Sequence, residues 1–335
     1  MDYTKLNLKA SSSPHIRSNE DVRSIMLDVI IAMVPALAAI YFFGFRALTV
    51  TAVSVAACVF FEWLYCKIMK RPQPIGDLSA VVTGMLLAFT CPVSIPYWMI
   101  VIGDAFAIII VKQLYGGLGK NFMNPALSAR AFLMSFPVIM TTWPAIRTKL
   151  PLFATPDVVS SATPLASLKE GLMPNASLTD LALGMVGGSM GEISALALLA
   201  GGLYLISRKV ITFHTPVAYL GTVALLCFLF PHGNGRVEFM LAELCSGGLM
   251  LGAIFMATDY STSPVTKKGQ VVFGIGCGLL TVFIRFFGNM PEGVSYSILV
   301  MNATVFLIEK VTRTRKYGFV APPKAVKTPE GGKSK

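Results

Sequence analysis

The run IMLDVIIAMVPALAAIYFF at residues 25–43 holds one charge, Asp28, in nineteen positions. An α-helix needs about 20 apolar residues to cross the hydrocarbon core of a bilayer, and the chain holds ten runs of roughly this kind, some of them shorter. They fall approximately at 24–43, 45–66, 77–92, 95–112, 123–140, 192–207, 215–231, 239–257, 269–287 and 293–309. In lipid every backbone N–H and C=O must be bonded internally, so only helices and closed barrels can span it. The runs are continuous, without period-two alternation, which excludes a barrel. Composition agrees: 54% of the 335 residues are apolar, 13% are charged and the mean hydropathy is +0.67, outside the soluble globular range. The expected fold is an all-α polytopic membrane protein of about ten helices. The third, fifth and sixth runs carry Gly, Pro or Ser and read as broken or tilted helices. The first run is too long for a signal peptide and lacks a small-residue cleavage site, so it is expected to stay as a helix.

Lys and Arg near span ends favour the cytoplasm. With the N-terminus placed inside, 21 of the 28 basic residues fall on the cytoplasmic side, including Lys67, Lys112, Arg208 and the eight from Lys310 onward. Six fall outside, Arg46, Arg147, Lys149, Lys169, Arg236 and Arg285, and Arg130 lies within a span. Both termini are therefore expected to be cytoplasmic, with an outward loop between the halves. Five segments follow: a cytoplasmic 1–23, a first five-helix unit at 24–140, an extracytoplasmic loop at 141–191, a second five-helix unit at 192–309, and a basic tail at 310–335. Topology and contact with anionic lipid explain the net charge of +11, which calls for no nucleic acid. The six cysteines form no CxxC pair and read as small packing residues. None of the three histidines is central in a span, so haem ligation is not expected, and no metal site is read.

The two halves resemble each other weakly. IGDAFAIIIVK from Ile102 aligns with IGCGLLTVFIR from Ile275, which pairs Lys112 with Arg285, and Met123-Asn124 matches Met301-Asn302 further on. Five helices per unit is an odd number, so the second copy enters the membrane upside down, an inverted repeat of five plus five. Such repeats place ligand or ion sites between the copies. Charges inside spans are costly and mark sites; Glu62, Asp104 and Glu243 qualify as ion-path candidates, with a plain buried ion pair as the other reading.

One loop stands apart from the apolar runs. In DVVSSATPL, residues 157–165, Pro164 holds Thr163 extended, and Ser161 and Ala162 leave little bulk beside its hydroxyl. Local physics reads this as an ordinary Ser/Thr/Pro turn. However, Asp157, Ser160, Ser161, Ala162 and Thr163 resemble the signature read by bacterial flavin transferases, in which the final threonine receives FMN through a phosphoester. Ser161 stands where that signature more often has glycine. Asp157 would serve recognition by the transferase, with an Asx turn as its other reading. Three further segments, SSSPHIRSNEDVRSIMLDVIIAMVPAL from Ser11, GKNFMNPALSAR from Gly119 and FMATDYSTSPVT from Phe255, are similar to the D-subunit family of the Rnf complexes. That family is related to the B subunit of the Na+-translocating NADH:quinone oxidoreductase. The resemblance covers about residues 5–315.

The resemblance implies a urea-transporter-like inverted repeat in a bacterial cytoplasmic membrane, with covalent FMN on an extracytoplasmic Thr163. It implies a complex with the Rnf subunits A, B, C, E and G that passes electrons between ferredoxin and NAD and exports Na+ or H+. This chain would be one subunit of that oxidoreductase, not catalytic alone. It also implies noncovalent riboflavin near the cytoplasmic side, where Asn124, Arg130, Thr258 and Asp259 are candidates to line the site, because both segments interrupt helices with polar groups. Arg147, Lys149 and Lys169 are candidates to neutralise the FMN phosphate. Two other functions remain open on the residues alone. A channel or secondary transporter for a small solute would work without reductant, and a structural scaffold would tolerate Thr163→Ala.

Overall fold

The structure, a computed structural model, describes residues 19–34, 41, 43–144, 152, 163–174, 176–191, 194–232, 235–288 and 292–312. Asp157, Ser160, Ser161, Ala162, Arg147 and Lys149 lie outside the described residues. Every regular element among the described residues is helical. Three helices are long and apolar enough to cross a membrane: α2 (Phe45–Ile68), α11 (Lys267–Phe287) and α12 (Val294–Thr312). α9 (Arg236–Cys245) and α10 (Leu249–Met256) pass the same test together as a pair bent by 65°, either a broken span or a re-entrant loop. The remaining helices are shorter. They are α1 (Asn19–Met33), α3 (Ser79–Thr90), α4 (Tyr97–Ala105), α5 (Pro125–Leu133), α6 (Pro164–Lys169), α7 (Ala195–Ser207) and α8 (His214–Leu229). α4 runs on through π-helical turns to Gln113.

The bend between α9 and α10 falls at Ser246-Gly247-Gly248, in the eighth run, which the sequence did not single out. Gly247 adopts φ +71 there, open to glycine and strained for other residues. The fifth run is interrupted as expected: α5 ends at Leu133 and a separate turn starts at Pro137. α5 starts where Asn124 caps it, its side chain accepting from the Ala126 and Leu127 amides with Pro125 in the first turn.

Lipid is as apolar as leucine, so helices inside it associate by close packing and internal hydrogen bonds. α3 lies against α2 because Gly84 has no side chain; a Cβ there would sit 2.8 Å from the Val55 Cα. α8 and α11 meet through Gly274 and Gly278, one turn apart. A Cβ at Gly278 would sit 2.7 Å from the Thr222 Cβ and 3.1 Å from the Tyr219 carbonyl oxygen. Gly278→Leu is expected to lose about 1–3 kcal/mol through overpacking, read as a lower midpoint when the solubilised protein is titrated with SDS.

Arg46, counted from sequence among the outward charges, is 1% exposed. It donates to the Val93 and Ile95 carbonyls at 2.9 and 3.2 Å and stacks over Tyr97. It thus ties the start of α2 to the turn before α4. All six cysteines are free, and all but Cys245 are buried.

Candidate functional site

α3 is almost wholly enclosed: eleven of its twelve residues, Ser79, Ala80 and Val82 through Thr90, are buried. A cavity lies beside each end of it. The first is lined by Ser79, Thr83, Lys112, Asn124, Thr258 and Asp259, with apolar walls from Ile25, Val29, Leu86 and Phe255. Lys112 reaches it from the end of the π-helical turns. Its Nζ lies 2.6 Å from Glu62 Oε1 and donates to Ser79 Oγ at 2.6 Å, while Gln113 donates to the same Glu62 oxygen at 2.7 Å. Burial pushes the Asp259 carboxyl above its usual range, against the Ser261 and Thr262 hydroxyls that donate to it. A second, polar cavity of about 330 Å³ adjoins the first, sharing Ile25, Val210, Ile211, Thr258 and Tyr260. Asp28, Arg208, Thr212 and Gln270 complete its wall, and Arg208 pairs with Asp28 at 3.2 Å.

The other end of α3 meets the segment at 186–191, where the Gly191 amide donates to the Phe89 carbonyl at 2.7 Å and the Met190 amide to that of Cys91 at 3.3 Å. This segment also forms one wall of a third cavity, with Trp143, Thr163, Cys245, Ser246, Gly247 and Glu292. Thr163 stands at the mouth as the N-cap of α6. Its backbone is extended, as Pro164 requires, and its hydroxyl accepts from the Ala166 amide at 3.3 Å. Lys169, from the end of α6, donates to the Gly288 carbonyl at 2.5 Å.

Two buried cations support this cavity. Arg285 reaches Glu243 Oε2 at 2.5 Å and the Glu243 and Ser246 carbonyls at 2.8 and 3.1 Å, which fixes the bend between α9 and α10. Arg130 pairs with Glu292. Three polar atoms around the cavity have no hydrogen-bond partner among the described residues: Ser246 Oγ, Arg285 Nε and Glu292 Oε1. A Cβ at Gly247 would stand 3.0 Å from Arg285 Nη2 and 3.1 Å from the Leu165 side chain. The missing side chain therefore lets the Gly247 backbone pack directly on Arg285 and Leu165.

Of the four residues expected to share one site, the structure brings Asn124, Thr258 and Asp259 together at the first cavity. Arg130 is elsewhere: its partner Glu292 lines the cavity of Thr163. Among the ion-path candidates, Glu62 and Glu243 each hold a buried cation, and Asp104 holds none among the described residues. Glu292, Ser246 and Lys112 were not singled out as site residues. Glu292 sits in a short turn between spans, and only its contact with a residue 162 positions away marks it.

The helices and their buried charges define a polytopic membrane protein with polar sites enclosed at both ends of one interior helix. The chain belongs to the NQR2, RnfD, RnfE family, whose model matches residues 9–318. It is 50% identical over 329 residues to the D subunit of the Na+-translocating ferredoxin:NAD+ oxidoreductase complex of Acetobacterium woodii, covering 96% of this chain and 99% of that one. It is 43% identical over 320 residues to the D subunit of the proton-translocating ferredoxin:NAD+ oxidoreductase complex of Clostridium ljungdahlii, covering 92% and 95%. The D subunit of the ion-translocating oxidoreductase complex of Actinobacillus succinogenes is 40% identical over 347 residues, covering 93% and 98%.

Proposed function

We propose that this chain is the D subunit of an ion-translocating ferredoxin:NAD+ oxidoreductase, carrying FMN through a phosphoester on Thr163 and relaying electrons across the cytoplasmic membrane in step with Na+ or H+ export. The observation that carries the reading is the setting of Thr163. The one hydroxyl that ends the flavinylation-like signature lines a cavity ringed by polar atoms with no partner among the described residues, and Gly247 in its wall packs directly on Arg285. These polar atoms suit a group with donors and acceptors on its edge, seated against a cavity that itself encloses only about 50 Å³. Thr163 would anchor the group, Arg285 would face it past Gly247, and Ser246 and Glu292 would meet its polar edge. When bound, FMN supplies the electron-carrying chemistry; the protein fixes its position and electrostatics.

The paired cavities at the opposite end of α3 fit a noncovalent flavin such as riboflavin. The apolar walls beside Asn124 suit the ring and the polar chamber of Asp28, Arg208 and Gln270 suits a hydroxylated chain. Lys112 and Arg208 belong to the basic side, which supports a cytoplasmic position for these cavities and an extracytoplasmic one for Thr163.

The inverted five-plus-five arrangement is part of the same proposal. Lys112 and Arg285, paired by the repeat, each take a buried acid, though from different helices. Asn124 and Asn302, also paired by the repeat, touch: with the Asn302 amide turned so that its nitrogen donates to the Ile298 and Thr262 carbonyls, its oxygen accepts from the Asn124 amide at 3.2 Å. Equivalent residues meeting in this way support a pseudo-two-fold axis between the halves. The flavin transferase, the other Rnf subunits and anionic lipid are the partners the reading requires.

The test is intact mass and peptide mapping of the protein from its native membrane. An FMN-sized increment on the peptide containing Thr163 is expected. An unmodified peptide from cells with a working flavin transferase would overturn the tether.

A further inference from the structure

The buried acids of this chain are not alike. Glu62 is balanced by Lys112, Glu243 by Arg285, Asp28 by Arg208 and the partly exposed Glu292 by Arg130, while Asp259, also partly exposed, is held by the Ser261 and Thr262 hydroxyls. Asp104, in the last turn of α4, is 0% exposed and has no cation within ion-pair distance among the described residues. The titratable and charged groups on the elements packed against it are Arg46, Cys58, Glu62, Tyr65, Cys66 and Lys67 on α2, Cys91 after α3, Lys112 on the π-helical turns and Arg130 on α5. Of these only the Cys58 thiol touches it, donating to Oδ1 at 3.2 Å. Lys112 is spent on Glu62, and the small apolar cluster of Cys58, Ala80 and Ile108 fills the space near this end of α2. Asp104 Oδ2 has no partner at all among the described residues. A bare carboxylate in this position costs several kcal/mol or more, so its countercharge must arrive from outside the described side chains.

The hydrogen bonds indicate what arrives. Ser54 Oγ lies 2.7 Å from Asp104 Oδ1 and 2.9 Å from the Gly84 carbonyl oxygen. Ser54 has one proton and two acceptors to satisfy. A proton on Asp104 resolves the conflict: the carboxyl donates to Ser54 Oγ, and Ser54 donates to Gly84. A bound metal ion would find a poorer site. Its oxygens would be those of Asp104, Ser54 and Gly84, and the fourth neighbour is the sulfur of Cys58, a soft donor that hard cations do not select.

We infer that Asp104, with Ser54, Cys58 and the Gly84 carbonyl, forms a proton-holding site inside the first half of the chain, occupied by H+ in the resting protein. The inference deepens the ion-translocating reading by assigning one residue and one occupant. Its occupancy can be read without any assay of transport. The proton enters and leaves as H+, converting carboxylic acid to carboxylate with no electron transferred.

The experiment is infrared difference spectroscopy of the assembled complex in lipid at neutral pH, wild type against Asp104→Asn. That variant is nearly isosteric with the neutral acid and keeps a donor toward Ser54. The expected result is a carboxylic-acid carbonyl band that shifts in D2O, is lost in Asp104→Asn, and is unchanged when K+ is replaced by Na+. Ser54→Ala should move the band, not abolish it, because one hydrogen bond to the acid is removed. Absence of the band in the wild type overturns the inference, as does a band that Ser54→Ala leaves in place. A band that Na+ abolishes at fixed pH also overturns it, in favour of Na+ as occupant. Failure of Thr163 to carry flavin would leave all three readings intact, so the two proposals fail separately.

Discussion

Glu243→Gln is expected to destabilise the protein by about 3–5 kcal/mol, the cost of leaving a buried guanidinium without its countercharge. Arg285 is 2% exposed and its strongest contact is Glu243 Oε2. The loss should show as a collapse of the SDS unfolding midpoint of the solubilised protein. The double variant Glu243→Gln with Arg285→Met should recover much of it, since an apolar replacement of a whole buried pair is often neutral. Arg208→Met is the internal control. Arg208 is 58% exposed in its pair with Asp28, and an exposed pair contributes about 0–1 kcal/mol. Equal losses for Glu243→Gln and Arg208→Met would refute this ranking. Glu243→Gln has a local effect as well, because Arg285 also holds the Ser246 carbonyl and so sets the wall facing Thr163.

Thr163→Ala is the larger functional change. On the proposed tether, removing the hydroxyl removes the oxygen that carries the phosphoester, and ferredoxin-dependent NAD+ reduction by the assembled complex should fall by at least about tenfold, with the covalent flavin lost. Stability should change little: Thr163 caps a six-residue helix, and loss of such a cap costs about 1 kcal/mol. Asn124→Ala provides the contrast, leaving the covalent flavin in place while disturbing the opposite cavity. Wild-type turnover by the Thr163→Ala complex would end the electron-relay role for this residue and favour the scaffold reading.

The helical membrane class was legible because long apolar runs admit no other solution, and family membership was legible from a few short segments in a fixed order. The convergence of Asn124 with Thr258 and Asp259 could be foreseen because both segments place polar groups where helices break, in corresponding parts of the two halves. Arg130 was misplaced for a physical reason. It lies on α5 with Asn124, six residues earlier, but a helix turns its side chains through all directions and the partner that decides its side, Glu292, is remote in sequence. Arg46 was read as an outward charge because charge counting cannot distinguish a solvated guanidinium from one enclosed by backbone carbonyls. The bend at Ser246-Gly247-Gly248 lies inside an apolar run, where two glycines look like close packing until the positive φ of Gly247 is seen. The count of ten spans was read from the apolar runs; among the described residues three single helices have the length and hydropathy to cross, and one bent pair passes the same test together.

The near-complete enclosure of α3 has a consequence for how charge is separated. Its twelve residues rise about 18 Å, and between Thr83 and Thr90 its side chains are apolar, so its middle offers an ion nothing to exchange water for except the Gly84 carbonyl, already bonded to Ser54. With flavins at its two ends, this helix would act as a septum that electrons cross between fixed carriers while hydrated ions are held back. A pump needs that asymmetry, because current that leaks as ions through the electron's own route performs no work. Polar substitutions along the middle of α3, at Met85 or Leu87, would then uncouple the complex without slowing its redox turnover.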